Sequence, residues 1–300
     1  MARTLVCVGL DPLAEKMPEC VRKRSQTIAG GVYYWMSGIV SATAPYASMF
    51  KPQIAHWEAI DGGIKKLKDL IAFIHFSFPD IPVFLDCKRG DITRTQRQYK
   101  VACLDKIGAD GMNFAPYMGK DCMSALVDKE DLGRALVGLC YTSNLDAREV
   151  QDGAYTDAHG VRWEHYWEFM ADRVLVWGEQ LGVVDNSGLV MAAAYENPKG
   201  SGKVYSEHLS RCRNIVGNRL WFLIPGIGTQ GGFVTETVRA SYVGPGSIAI
   251  NSSSGITEAS SGEDYAQAAA DKAKELRDQI NVARRKLRLT RPKSSASRLV

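Results

Sequence analysis

A single (β/α)8 TIM barrel is the fold this 300-residue sequence predicts, and three observations predict it. Short apolar runs recur eight times along the chain. Each is near-continuous in hydrophobicity instead of alternating, as parallel strands covered on both faces must be. Segments long enough for a crossover helix separate them. Eight such units favour a closed barrel over an open doubly wound sheet, which needs only about five or six strands.

The runs are LVCVGLD (5–11), MFKPQIA (49–55), PVFLDCK (82–88), GMNFAP (111–116), RALVGLCYT (134–142), GLVMAAA (188–194), LWFLIPGIG (220–228) and SIAINSS (247–253). Crossover helices are expected over 61–76, 94–108 and 162–182. One connection is oversized: the polar stretch SNLDAREVQDGAYTDAHGV follows strand five, before a helix that begins near Trp163. Long loops without regular structure are uncommon unless they serve function or motion. This one leaves a strand at the end where barrels place their sites, so it is expected over or beside a substrate. The run DYAQAAADKAKELRDQINVARRKL is a strong helix former that closes the barrel wall. Residues 1–283 are thus expected to form the barrel, and 284–300 a basic tail or interdomain linker.

Hydrophobic residues at 45% and charged residues at 23% are those of a globular chain with a large core. No apolar stretch is long enough to span a membrane, and the N-terminal run is too short for a signal-peptide core. Seven scattered cysteines with no CxxC pair read as reduced, buried thiols of a cytoplasmic-type compartment. The net charge of +4 comes from residues 284–300, which hold seven basic residues and no acidic one; the rest has 30 basic against 33 acidic. A body of that balance is a poor footprint for nucleic acid, so no nucleic-acid partner is expected. His56, His75, His159, His165 and His208 show no ligand spacing, and no metal site is expected. The aromatic stripe of Trp163, Tyr166, Trp167 and Phe169 reads as packing.

The segment FLDCKRGDI (84–92) carries the chemistry. A strand alternates its side chains, so Asp86 and Lys88 share one face with Cys87 opposite. Both sit where strand three ends, on the catalytic rim of a barrel. Asp91 follows, strand one ends in Gly9-Leu10-Asp11-Pro12, and strand two delivers Lys51. Five charged groups are therefore expected to converge. Burying so many costs several kcal/mol per ion unless they pair, which points to function. For Asp11 alone, a helix cap and a substrate ligand are equal readings.

These residues resemble the orotidine 5′-monophosphate decarboxylase family, whose hallmark is a Lys–Asp–Lys–Asp array written DxKxxDI. It matches Asp86-Cys87-Lys88-Arg89-Gly90-Asp91-Ile92, with Lys51 in FKPQ as the leading lysine. GLDP at 9–12, TSN at 142–144 and GxGTQGG at 226–232 also resemble that family, particularly its longer bacterial and parasite branch, over roughly residues 5–256. The resemblance implies a cofactor-free carboxy-lyase that converts orotidine 5′-monophosphate to UMP and CO2, the last step of pyrimidine biosynthesis. It implies Lys88 as the ammonium beside the developing carbanion, Asp86 beside the departing carboxylate, and Lys51 and Asp91 holding Lys88 and the ribose hydroxyls. In the family the second aspartate, the next isoleucine and a nearby threonine cross a dimer interface, which implies Asp91, Ile92 and Thr95 in a homodimer with shared sites. Some members are fused to orotate phosphoribosyltransferase, so a fused or associated partner of that kind is a further expectation, and with it an organelle address on the remainder.

The resemblance implies substrate-binding roles too. Ser143, with Thr142, matches the serine that reads the pyrimidine amide edge, and Gln230 a residue that bridges pyrimidine and phosphate. Gly228 and Gly231 belong to a turn after strand seven that is expected to offer backbone N–H groups to a phosphate. The family reads NSSRGI after strand eight, where this chain has Asn251-Ser252-Ser253-Ser254-Gly255-Ile256. Ser254 thus stands at the place of a phosphate-clamping arginine, and a hydroxyl does not replace a bidentate guanidinium without loss. Lower phosphate affinity, a substitute cation such as Arg89 or Arg94, and a variant residue are the open readings. Two other readings compete: a sugar-phosphate decarboxylase or aldolase of the same superfamily, and a binding protein that acts through the basic tail.

Overall fold

The computed structural model describes residues 4–130, 132–227 and 232–290, the side chains of 288–290 excepted. Gly228, Gln230, Gly231 and residues 291–300 therefore lie outside the described residues. Eight parallel strands form the barrel: β1 (Val6–Leu10), β2 (Ala47–Pro52), β3 (Phe84–Arg89), β4 (Gly111–Phe114), β5 (Ala135–Tyr141), β6 (Ser187–Met191), β7 (Trp221–Ile224) and β8 (Ile248–Ser252). Five of them fall inside an apolar run named above, and β2, β3 and β6 each overrun theirs by one or two residues at one end. They hydrogen-bond in the order β2-β1-β8-β7-β6-β5-β4-β3. The Phe50–Val83 and Gln53–Asp86 bridges join β2 to β3 and close the ring.

Strand alternation sorts the side chains. The inward residues Cys7, Met49, Phe84, Val137, Val190, Leu223 and Ala249 form a plug inside the barrel. Phe84 meets Trp221 edge to face, at 6.0 Å and 87°. Such a pair adds about 0.5–1.5 kcal/mol beyond its burial. The outward residues pack under the helices, where Trp35, Trp57 and Trp167 are fully buried. On β2 and β3 the next inward positions above Met49 and Phe84 are Lys51 and Asp86, so the charged array stands directly on the apolar plug.

The helical shell comprises α1 (Ile28–Thr43), α2 (Gly63–Ser77), α3 (Thr93–Lys100), α4 (Tyr166–Leu181), α5 (Glu207–Val216), α6 (Val234–Ser241) and α7 (Tyr265–Thr290). Thr27 caps α1 by accepting from Gly30 N at 3.1 Å. Glu168 accepts from the backbone N–H of His165 at 3.0 Å and so fixes the start of α4. The crossover expected over 94–108 is α3 followed by a wider π turn, Val101–Lys106. Helix α7 packs on α1 and α6 and carries the chain into the basic segment, where Arg284 donates to Tyr242 Oη at 3.0 Å.

The long connection after β5 has its own structure: a short helix, Ala147–Gln151, and a hairpin pairing Tyr155–Thr156 with Arg162–Trp163. Asp157 closes the hairpin by accepting from His159 N and Val161 N. Only its first residues border the barrel mouth. Tyr155 and Trp163 pack on Phe169 of α4, as the aromatic stripe suggested. A second hairpin, Tyr195–Glu196 with Val204–Tyr205, follows β6 and has no forerunner in the apolar runs. All seven cysteines are free, and all but Cys20 are buried. Among the described residues no helix is long and apolar enough to cross a membrane.

Candidate active site

A cavity of about 470 Å3 opens at the C-terminal mouth of the barrel, bordered by Asp11, Lys51, Asp86, Lys88, Ser143 and Ser254 among others. Asp86 is its electrostatic centre. Lys51 Nζ donates to one carboxylate oxygen at 2.9 Å and Lys88 Nζ to the other at 2.6 Å. Asn113 Nδ2 donates to that second oxygen at 2.7 Å. Lys51 also lies 3.8 Å from Asp11, which accepts from the backbone N–H of Gln53.

The two lysines differ in surroundings. Lys51 is buried at 2% exposure, whereas Lys88 opens to the cavity. Burial pushes Asp86 towards its neutral form, yet Lys51, Lys88 and the hydrogen bonds from Lys88 and Asn113 outweigh it and hold the carboxyl well below the usual range. For Lys51 burial favours the amine, but Asp11 and Asp86 win and keep the ammonium firmly charged. Beneath them, burial pushes the Cys7 thiol up to about 12, so it stays neutral. The buried lysine therefore anchors the carboxylate, and the open one faces whatever enters.

Backbone geometry aims Lys88. Its φ of 46° puts a non-glycine residue in the left-handed region, at a cost of about 1–2 kcal/mol. Asn113 Oδ1 holds the bend by accepting from Cys87 N at 2.9 Å and Lys88 N at 2.6 Å. One amide on β4 thus orients both the carboxylate and the strand end. Asn113 is absent from the residues read from sequence. Its signal was a polar residue inside the apolar run GMNFAP. Gly9 serves packing: a Cβ there would collide with the Ser253 side chain.

Four of the five expected charges converge, and Asp91 does not. The chain turns away after Lys88, and Asp91 Oδ1 accepts from Ile92 N at 2.7 Å, outside the cavity. Ile92 is 62% exposed, and Thr95 lies beyond the cavity too. Thr142, Ser143 and Ser254 border it as expected. Thr142 is tied down by Gln151, which accepts from its N–H and donates to its hydroxyl. Arg89 does not stand in for the missing arginine: it pairs with Glu58 and stacks 5.0 Å over Tyr99. Arg94 is exposed and outside the cavity. His56, given little weight in the sequence, borders the cavity with Nδ1 3.2 Å from the Pro12 carbonyl. Glu258 also borders it and was missed, because nothing in the sequence marks which glutamate follows the last rim turn. Among the described residues no three His, Cys, Asp or Glu side chains are grouped to hold a metal ion.

The model of the orotidine 5′-phosphate decarboxylase / HUMPS family matches residues 4–270. An orotidine 5′-phosphate decarboxylase of Ralstonia nicotianae is 37% identical over 258 residues, covering 86% of this chain and 85% of that protein. One from Dechloromonas aromatica is 38% identical over 257 residues, covering 85% of each. A solved Toxoplasma gondii structure, titled a putative orotidine-monophosphate-decarboxylase, superposes with a TM-score of 0.79 at 25% identity, over 95% of this chain and 93% of that one. The Leishmania donovani UMP synthase structure gives 0.74 at 29% identity, over 94% of this chain, and the chain spans about half (54%) of that protein's length. With the family model matched over most of its length, the chain belongs to the orotidine 5′-phosphate decarboxylase / HUMPS family.

Proposed function

We propose that this chain's role in pyrimidine biosynthesis, the decarboxylation of orotidine 5′-phosphate to UMP, is carried out by Lys88 acting from the Asp86 carboxylate that Lys51 and Asn113 hold in place. The observation that carries the reading is the bifurcated arrangement at Asp86, with a buried ammonium on one oxygen and a cavity-facing ammonium on the other. The curated relatives carry the decarboxylase name, which favours this reaction over sugar-phosphate chemistry.

The chemistry follows from the charges. Breaking the bond between C6 and its carboxylate releases CO2 and leaves an electron pair in an sp2 orbital with no adjacent sink. An ammonium fixed beside that carbon stabilises charge that exists mainly in the transition state. Lys88 Nζ then gives its proton to C6, completing UMP, and the resulting amine regains a proton from solvent. Asp86 keeps Lys88 charged and stands where the substrate carboxylate must sit, so repulsion between the two falls as CO2 departs. Ser143 and Thr142 meet the base edge, and Asp11 and Lys51 the sugar. No step calls for a cofactor or metal.

Asp91, Ile92 and Thr95 lie outside this chain's own cavity, on a surface that also exposes Tyr117 and Met118. That placement supports a homodimer in which these residues complete the partner's site. The span on the Leishmania UMP synthase supports a fused or associated orotate phosphoribosyltransferase.

The test follows absorbance as purified protein meets orotidine 5′-phosphate with EDTA present, alongside Lys88→Ala. Turnover that survives EDTA and disappears in the variant supports the reading. No turnover by the unmodified protein at saturating substrate would overturn it.

A further inference from the structure

The cavity at the barrel mouth adjoins a second one, bordered by Arg148 and Lys199. A further cavity, of about 480 Å3, opens at the opposite end of the barrel, among the residues where the strands begin. It shares no bordering residue with the catalytic cavity. Met49, Phe84 and Ala249 of the apolar plug border it from above, and Trp221, Pro82 and Pro245 stand around it. Lys51 and Asp86 are the next inward positions on β2 and β3, so one layer of plug separates this floor cavity from the charged array.

The polar groups of the floor are few, and most are engaged. The Thr4 hydroxyl donates to the Tyr46 carbonyl at 2.7 Å, and the Ser48 hydroxyl to that of Val6 at 2.8 Å. Among the described residues that border the cavity, Asp110 is the one acid and Arg284 the one base. Asp110 accepts from Val83 N at 2.7 Å and lies 2.9 Å from His75 Nε2. Arg284, on α7, donates only to neutral groups, Asn281 Oδ1 at 3.1 Å and Tyr242 Oη at 3.0 Å. Its Nε is buried and has no partner among the described residues. A guanidinium carries five N–H donors, so Arg284 keeps the capacity to meet an acid. Asp110 precedes β4, whereas Tyr242 holds Arg284 near the start of β8, on the far side of the ring.

We infer that the barrel floor is a binding site for a small apolar molecule with a single anionic group, such as an aromatic carboxylate. Its body lies against Phe84 and Trp221, and its anion meets Arg284, across the ring from Asp110. Ligand cavities of roughly 300–1,000 Å3 are mostly apolar, with a few polar groups that set orientation, and the floor has this make-up. A nucleotide does not suit it, being polar along most of its length. With the plug between them, floor and mouth fill independently, and the inference stands apart from the decarboxylase reading.

Fluorescence titration of the full chain with anilinonaphthalene sulfonate, an apolar anion, and with neutral phenylnaphthylamine tests it. One sulfonate per chain is expected to bind, and equally well to Lys88→Ala, whose change lies at the mouth. Arg284 is only partly buried, and Arg284→Gln is expected to weaken sulfonate binding roughly 10-fold while leaving the neutral dye unchanged. Ala135→Leu, which fills the cavity from the start of β5, should weaken both dyes. Should that variant fail to fold, Arg284→Gln carries the test by itself. No sulfonate binding to the unmodified chain, or an equal effect of Arg284→Gln on both dyes, would overturn the inference. So would weaker binding to Lys88→Ala, which moves the dye to the mouth. Binding that appears only once residues 1–3 or 291–300 are removed would also overturn it, by assigning the floor to the chain's own ends.

Discussion

Lys88 Nζ sits 2.6 Å from Asp86 Oδ1, two positions back on the same strand, and the backbone reaches this geometry with Lys88 at a φ of 46°. Along a regular strand, next-but-one side chains lie side by side and stay apart. The left-handed turn at Lys88 folds the ammonium back over the carboxylate, and the Asn113 amide holds that turn.

Stability and activity should therefore part at this position. Lys88→Ala removes the ammonium and keeps the strain, whereas Lys88→Gly removes both. Both variants are expected to be inactive, and Lys88→Gly should be more stable than Lys88→Ala by about 1 kcal/mol in urea denaturation. Equal midpoints would show that the bend is unstrained.

Asn113 is expected to act by placement. Asn113→Ala frees the bend and removes one donor to Asp86 while leaving the charges in place. A misplacement of about 1 Å at a reacting centre can cost 100-fold, so kcat should fall by roughly 10- to 100-fold with KM changed far less. A variant in which KM alone rises would assign Asn113 to substrate binding instead.

His208 makes the fold acid-sensitive. It is fully buried, and Nε2 lies 2.8 Å from the Ala192 carbonyl; a carbonyl only accepts, so Nε2 carries the hydrogen. Nδ1 finds no partner among the described residues. Burial pushes the pKa down to about 4, so protonation favours the unfolded chain. Stability from this site is complete above the unfolded value of about 6.5 and declines as pH falls from there to about 4. Between pH 7 and 5 the loss should be roughly 2 kcal/mol. The difference in unfolding free energy between the unmodified protein and His208→Phe should shrink as pH falls over that range; a difference independent of pH would contradict the assignment.

Arg213 ties four elements together without an acid. It is buried, donates to the carbonyls of Ser241, Gly217, Leu220 and Ser247, and lies 3.7 Å over the Phe222 ring. These bonds bind the end of α5 to the end of α6 and the starts of β7 and β8. Arg213→Met takes a donor from four carbonyls, of which Ser247 still accepts from Phe222 N, and each buried group left unsatisfied costs about 1–3 kcal/mol. Destabilisation of at least about 3 kcal/mol is expected in chemical denaturation, with the Lys88-dependent chemistry intact in whatever remains folded. A change below about 1 kcal/mol would mean that water replaces the guanidinium.

The order of the eight strands, the closed barrel and the placing of Lys51, Asp86 and Lys88 on one rim were legible in the amino-acid string. Each depends on local pattern: continuous apolar runs make buried parallel strands, and period-two alternation sends Asp86 and Lys88 to the same side. Four features were not legible, because each depends on neighbours far apart in sequence. Asn113 reaches Asp86 only because β4 lies beside β3. The positive φ at Lys88 is sustained by that same cross-strand amide, so no propensity of lysine announces it. Asp91 leaves the array because the bend that aims Lys88 inward carries the next residues outward. Arg148 and Lys199 share a cavity only because the connections after β5 and β6 rise side by side from adjacent strands. Charge type and spacing along one strand are written locally, but which charges face one another across a barrel mouth is decided by strand register and loop packing.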